Sequence, residues 1–267
     1  MLERLRASHR PRLAVHKFTS CDGCQLTILD CEESLLDLAE VVDIAYFREA
    51  GCDSTPGPFD IAFVEGSVST PEEIERTRRI RESTRTFVAF GACATAGGIQ
   101  ALRNFGDLVR LKAAAYPDPT LVPALTTTST PHAAHVPVDF ELPGCPPNRQ
   151  QFLEVTVQLL LGRTPRLPSY SVCLECKRRV NVCVLVAREL PCLGPVTHDG
   201  CGALCPSYDR ACYGCFGPLD DSQVDRFGEE LELRGFAAPQ IARLFRQVAP
   251  QAEAFVRGGA RYAEKGG

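Results

Sequence analysis

The chain predicts an α/β protein: a flavodoxin-like parallel sheet with helices on both faces, followed by a loop-rich, cysteine-dense segment. Three observations carry this. Over positions 1–165, apolar runs of strand length alternate with stretches of helical periodicity. Proline and glycine concentrate around 51–58, 117–147 and 191–218, which marks loops between packed elements. Twelve of the 14 cysteines fall into three groups of four, eight of them crowded between Cys173 and Cys215. The expected division is a sheet domain over 1–165 and a second domain over 166–267.

Arg12 to Ser20 reads as a first strand running straight into Cys21. Residues 25–42 then carry Leu26, Leu29, Leu36 and Val41 or Val42 at helical spacing. Asp43–Phe47 and Asp60–Val64 are short β-branched and aromatic runs, hence strands. Thr70, Pro71 and Glu73 make a helix start: a capping hydroxyl, a proline suited to the first turn, and the glutamate of a capping box. The helix they open is polar on most sides and belongs at the surface. Thr86–Phe90 is a strand ending at Gly91-Ala92-Cys93, and Val136–Leu142 is a last strand ending at Gly144-Cys145. Residues 150–162 close the domain as a helix. The tail from Pro239, with Ile241, Leu244, Phe245 and Val248, is a helix docked on the body or on a partner.

This alternation has a consequence for function. In an open parallel sheet the carboxyl ends of the strands share one edge, where ligands bind. Cys21 and Cys24, Cys93, and Cys145 each follow a different strand, so four thiols scattered along the chain should meet at one site. Gly23, Gly91 and Gly144 stand beside them and permit tight turns. A flavin is the other ligand such a sheet could take. The loop after the first strand, however, reads Ser20-Cys21-Asp22-Gly23-Cys24, with thiols in place of a phosphate-binding run.

The other eight cysteines are spaced C-x2-C-x6-C-x8-C (Cys173, Cys176, Cys183, Cys192) and C-x3-C-x6-C-x2-C (Cys201, Cys205, Cys212, Cys215). Four thiolates suit an iron–sulfur cluster or a structural zinc, and spacing alone leaves both open. Proline after Cys205 leans toward iron. Disulfides need an oxidising compartment. The opening residues show no export signal or apolar core, so cytoplasmic residence and metal binding are the expectation. No apolar run is long enough to predict a membrane span. A net charge of −4 with 23% charged residues gives no basic field for nucleic acid. Cys31 and Cys52 lack partners in spacing and read as small buried apolar residues.

The motifs SCDGCQL at 20–26, VEGSV at 64–68, GACATAGG at 91–98, PGCPPN at 143–148, CLECKRR at 173–179 and the cysteines of 192–215 together resemble the small, electron-transfer subunits of nickel–iron hydrogenases. The resemblance runs from about Val15 to Leu219. It implies a proximal [4Fe–4S] cluster on Cys21, Cys24, Cys93 and Cys145. Exported members of that family hold the distal cluster with a first-position histidine and have proline in place of a fourth medial cysteine. Here those places are Cys173 and Cys205. The resemblance therefore implies two further [4Fe–4S] clusters: a distal one on Cys173, Cys176, Cys183 and Cys192, and a medial one on Cys201, Cys205, Cys212 and Cys215. Ferredoxins with two clusters exchange a cysteine between them, so the division among Cys183, Cys192, Cys201 and Cys205 stays open. All-cysteine ligation without an export signal is similar to the delta subunit of cytoplasmic NAD(P)-linked hydrogenases, also called sulfhydrogenases.

The implied role is a relay. Electrons from a nickel–iron large subunit would pass through three clusters to diaphorase-like NAD(P)/flavin and iron–sulfur subunits, or in reverse. The chain itself has no G-x-G-x-x-G after a strand for a nicotinamide cofactor, and no thiols left for a nickel–iron site. Two rivals come from other classes. One is the proximal-cluster subunit of a quinone oxidoreductase-like complex, although that family has adjacent cysteines where this chain has Cys21-Asp22-Gly23-Cys24. The other is a zinc-stabilised scaffold without redox chemistry. Among the remaining polar residues, Glu65 reads as a neighbour of the proximal site or a capping glutamate, and His16 as a satisfied core histidine. His132 and His135 read as structural, His198 as a hydrogen-bond donor to a cluster sulfur, and Lys177, Arg178 and Arg179 as a basic face beside a cluster.

Overall fold

The computed structural model describes residues 10–52 and 56–266; the first nine, on which part of the export reading rests, lie outside them. Five parallel strands, β1 (Arg12–Lys17), β2 (Asp43–Phe47), β3 (Phe59–Glu65), β4 (Thr84–Phe90) and β5 (Phe140–Leu142), form one sheet in the order β2-β1-β3-β4-β5. That is the flavodoxin-like order, whose direction reverses between β1 and β3.

Helices cover both faces, as the alternation requires. On one side α1 (Gly23–Leu29), α2 (Glu33–Val41) and α6 (Arg149–Leu160) bury Ile28, Leu38 and Phe152 against Phe63 and Phe90. On the other, α3 (Pro71–Glu82) packs Ile80 with Ala62 and Phe87. Thr70 accepts from the Glu73 amide while Glu73 accepts from the Thr70 amide, so the capping box forms as expected. Two further helices, α4 (Ala92–Ala96) and α5 (Leu108–Ala115), lie between β4 and β5.

Three local expectations need correction. The helix expected over 25–42 is two helices broken at Glu32, whose φ is 48°. The exposed side includes Leu26 and Leu36, and the buried one Gln25, Thr27, Ile28 and Leu38. Burial follows the break, which re-phases the second helix relative to the first. The last strand is three residues, because Pro137 cannot donate to the ladder and the Asp139 carboxylate takes the Phe87 amide at 2.7 Å instead. Cys52 is half-buried rather than buried, and its backbone forms a bridge with Phe47 at the end of β2.

Beyond the sheet come three short helices, α7 (Val172–Arg178), α8 (Val184–Ala187) and α9 (Leu204–Ser207), embedded in loop. The chain ends in α10 (Val224–Leu233), α11 (Ala238–Phe245) and α12 (Glu253–Glu264). These bury Leu231, Phe245, Phe255 and Tyr262 in a core shared with Leu193 and Val196, so the tail helix docks on its own chain. Ala96 belongs to the same core, and the Gln251 amide donates to its carbonyl at 3.1 Å, tying the two parts together.

Candidate metal centres

The first thiol set is built by strand ends. Cys21 follows β1, Cys24 sits in the first turn of α1, Cys93 opens α4 directly after β4, and Cys145 follows β5. Close approach is visible in the glycines. A Cβ on Gly91, whose φ is 91°, would stand 2.3 Å from Cys24 Sγ, and one on Gly98 would stand 2.4 Å from Cys93 Sγ. Only glycine leaves room for both sulfurs. Gly98 is a requirement that the sequence did not single out.

Burial and the neighbouring thiols set the electrostatics. Burial above all, then Glu65 and the other three cysteines, pushes Cys24 far above its ordinary range. Burial and Cys145 push Cys93 up to about 12, although a contact with Gln100 Oε1 at 3.4 Å works the other way. Such thiols are not nucleophiles, since the thiolate is the reactive form. A cationic centre that binds them as thiolates would offset the mutual repulsion. Glu65, at the end of β3, is 0% exposed and lies beside this set. It caps no helix: its Oε1 accepts from Ser20 Oγ at 2.7 Å and Gln25 Nε2 at 2.9 Å. Burial raises its carboxyl to about 7 against those two hydrogen bonds. Ser20, Gln25 and Gln100 escaped the sequence reading, because polar residues in loops and helix starts carry no periodic signal.

The second set, Cys173 and Cys176 on α7, Cys183 at the start of α8 and Cys192 in the following loop, lines one small apolar pocket with Pro195 and Pro206. Cys173 and Cys192 each place Sγ 3.4 Å from the point a Gly194 Cβ would occupy. Burial and the other three thiols of the set push Cys173 up to about 12. In the third set, Cys201, Cys205, Cys212 and Cys215, burial and then Cys201, Cys145 and Cys205 push Cys215 up to about 12. Backbone amides aim at these sulfurs. Those of Leu204 and Ala203 donate to Cys201, Gly214 to Cys212, and Gly194 and Cys212 to Cys192.

Thus members of each expected group lie near one another, while Cys212 also neighbours Cys192 and Cys215 neighbours Cys145 across groups. Cys31 stays apart, its thiol donating to the Thr27 carbonyl at 3.5 Å in the sheet core. Among the described residues no three Cys, His, Asp or Glu side chains close up as tightly as a single ion requires. Four thiols to a set, with backbone amides pointed at several of the sulfurs, suit an iron–sulfur cluster.

The histidines hold structural places. His132 is buried between Thr77 Oγ1 at 3.2 Å and the Gly66 carbonyl at 3.1 Å, and His135 meets Thr130 at 2.7 Å. His198 does not reach a sulfur. It bonds the Pro168 carbonyl at 3.1 Å and faces Asp220, because its loop is paired with Ser171 and Gly217. It lines a cavity of about 690 Å³ with Asp199 and Gln151, into which none of the twelve cysteines opens. His16 is buried but not satisfied. Among the described residues neither ring nitrogen finds a hydrogen-bond partner, and the ring packs against Tyr46 and Phe59.

Iron–sulfur centres carry electrons, and three groups of four thiols are suited to holding them. Comparison with known proteins specifies the family. The family model described as NADH ubiquinone oxidoreductase, 20 kDa subunit, matches residues 21–159. Sulfhydrogenase 2 subunit delta of Pyrococcus furiosus is 37% identical over 221 residues, covering 83% of this chain and 92% of its own. A subunit of the vhu F420-non-reducing hydrogenase of Methanococcus voltae is 32% identical, covering 79% and 83%. Among solved structures, an NAD+-reducing [NiFe]-hydrogenase in the H2-reduced state superposes with a TM-score of 0.54 at 35% identity, covering 60% of this chain and 96% of that one. The chain belongs to the NADH ubiquinone oxidoreductase 20 kDa subunit family, among its hydrogenase small-subunit members.

Proposed function

We propose that the chain is the electron-transfer subunit of a cytoplasmic nickel–iron hydrogenase, carrying three [4Fe–4S] clusters between a large-subunit active site and an electron-accepting partner. The observation that supports it is the gathering of twelve thiols into three sets, in a chain whose relatives are hydrogenase subunits. Each cluster would supply a one-electron step at low potential.

The residues of the chain do the rest. Cys21, Cys24, Cys93 and Cys145 would hold the proximal cluster, Cys201, Cys205, Cys212 and Cys215 the medial one, and Cys173, Cys176, Cys183 and Cys192 the distal one. Cys21 and Cys145 are exposed, so the proximal set opens to the surface. Beside it Leu26, Ile99, Leu102 and Phe105 are exposed apolar residues, a suitable seat for the large subunit. Gln100, bonded to the Thr19 carbonyl at 2.9 Å, would hold Cys93 and the loop after β1 in register. Glu65 would keep a negative or proton-bearing group next to the proximal thiols.

The acceptor we favour is a diaphorase-like NAD(P)/flavin subunit. A second reading has support in coverage: the F420-non-reducing relative spans 79% of the chain, whereas the NAD+-reducing structure spans 60%. Hydrogen-driven reduction of NAD(P) by the purified complex, set against reduction of a viologen dye, separates the two. For the clusters themselves, anaerobically purified chain should contain about twelve iron and about twelve acid-labile sulfide. Near-stoichiometric zinc with little iron would overturn the reading. Among the described residues no helix is long and apolar enough to cross a membrane.

A further inference from the structure

The cavity of about 690 Å³ beside His198 lies at the seam between the sheet and the C-terminal part of the chain. Glu141 on β5 and Gln151 on α6 line it from the sheet, and His198, Asp199, Asp220 and Glu253 from the residues beyond. Asp199 is 7% exposed, and the amides of Gly200, Ala203 and Gly202 face its carboxylate. Its Oδ1 nevertheless has no hydrogen-bond partner among the described residues, and neither has the buried Oε1 of Gln151. The two acceptors are neighbours: a Cβ on Gly200, next in the chain to Asp199, would stand 3.1 Å from Gln151 Oε1. A buried acceptor without a donor costs free energy that a donating ligand recovers.

The lining is negative. Glu141, Asp199, Asp220 and Glu253 face a single imidazole, that of His198, whose Nδ1 is bonded to the Pro168 carbonyl. Glu175 adds its charge to the field at Asp199. No lysine or arginine lines the cavity. Arg166 stands one residue before Leu167, and the Arg179 guanidinium lies beside Gly202, both outside the lining. Among the described residues no three Cys, His, Asp or Glu side chains close up around a single ion. Leu167, Phe216 and Pro218 supply apolar wall, and the volume falls in the small-molecule range of about 300–1,000 Å³. Such a cavity suits a donor-rich cation on a carbon chain rather than a bare metal ion.

We propose that this cavity binds a small organic cation, an alkyl-guanidinium or alkyl-ammonium compound, whose N–H groups meet Asp199 Oδ1 and Gln151 Oε1 while its chain lies along Leu167 and Phe216. Binding has a consequence for electron transfer. Asp199 stands two residues before Cys201, and its charge acts on that thiol. A cation seated on Asp199 offsets this charge and raises the reduction potential of a centre held by the Cys201 set, because added positive charge favours the reduced state. That consequence rests on the reading of the Cys201 set as a cluster site, whereas the binding itself does not.

The test uses the intact holo-complex with agmatine as the probe, set against neutral 1,4-butanediol and magnesium ion. Calorimetry at roughly 20 mM NaCl should give agmatine a Kd of about 1 mM or below, at least about tenfold tighter than either comparison. Asp199→Asn should weaken agmatine binding by at least about tenfold, and Gln151→Leu by several-fold. Ala133→Phe, which fills the cavity without changing a charge, should abolish it. Iron content should stay as in the parent. If Asp199→Asn loses iron, Glu253→Gln is read in its place, with a several-fold loss expected. Redox titration with saturating agmatine should raise the potential of one cluster in the parent, and of none in Ala133→Phe. No binding of agmatine, equal binding of butanediol or magnesium, or unchanged affinity in the iron-replete variants overturns the proposal. A potential unmoved at saturating agmatine overturns the coupling to Cys201. A parent complex without redox-active iron would overturn the cluster reading instead, and calorimetry would still report on the cavity separately.

Discussion

The amide N–H of Cys212 donates to Cys192 Sγ at 3.2 Å, so a thiol of one C-terminal set is held by the backbone of the other. The Cys145 amide does the same for Cys215, joining the strand-end set to the set beyond it. The three thiol sets are thus linked in the order Cys145, Cys215, Cys212, Cys192. Hydrogen bonds to sulfur favour the more negative state of a ligand and tune the potential of whatever it binds. A change at one set can therefore shift the potential at its neighbour, while each set keeps its own thiols.

Cys93→Ser should lose the proximal cluster, about four of the twelve irons, and with it hydrogen turnover by the complex. Cys31→Ser should keep the iron count and lower stability only, by about 1 kcal/mol, since Cys31 sits in the sheet core. Iron analysis of both variants decides. Loss of iron from Cys31→Ser with retention in Cys93→Ser would reverse the assignment.

Gly91→Ala should behave like a ligand loss although no thiol is touched. Its Cβ would fall 2.3 Å from Cys24 Sγ, and its φ of 91° is strained for alanine. Iron per chain should drop by about four, with the C-terminal clusters still visible on reduction. Full iron content would mean that the strand-end thiols sit looser than their packing indicates.

Cys205→Pro should turn one centre into a three-iron form and raise its potential. The parent, isolated anaerobically, should show no substantial three-iron electron paramagnetic resonance signal when oxidised, and overlapping four-iron signals when reduced. Electrons should then rest at the raised centre. Transfer to a nicotinamide acceptor should slow, while dyes of higher potential are reduced nearly as before. A strong three-iron signal in the parent would remove Cys205 from the ligand set.

His16 offers a pH test away from the thiols. Burial, helped by Arg76, lowers it from 6.5 to about 3. Between those values the unfolded chain binds a proton that the folded chain refuses, so stability falls as pH falls through this window and is unaffected above it. His132, lowered to about 3 by burial, contributes in the same sense. His16→Leu should remove its own contribution, about 1.4 kcal/mol per pH unit, and relieve two unpartnered nitrogens. Denaturant midpoints at pH 7.5 and 5.5 should show the variant more stable at both, with the larger gain at pH 5.5. An equal gain at both would mean His16 titrates normally.

Much was legible from the chain alone. Alternation of Leu13, Val15, Ile61, Phe63 and Val88 with polar helices determined a parallel sheet, and Thr70-Pro71-Glu72-Glu73 determined a helix start, because period and capping are local chemistry. Strand-end positions brought Cys21, Cys24, Cys93 and Cys145 toward one edge, whereas spacing left the division of the eight later thiols open. Tertiary structure decided what has no local signal. It broke the helix at Glu32, left His16 without a partner, and turned His198 away from sulfur toward Pro168. It also set Gly98 against Cys93 and the Cys212 amide against Cys192. Each of these depends on contacts between residues distant in sequence, whose geometry is fixed only when the loops close over the packed sheet.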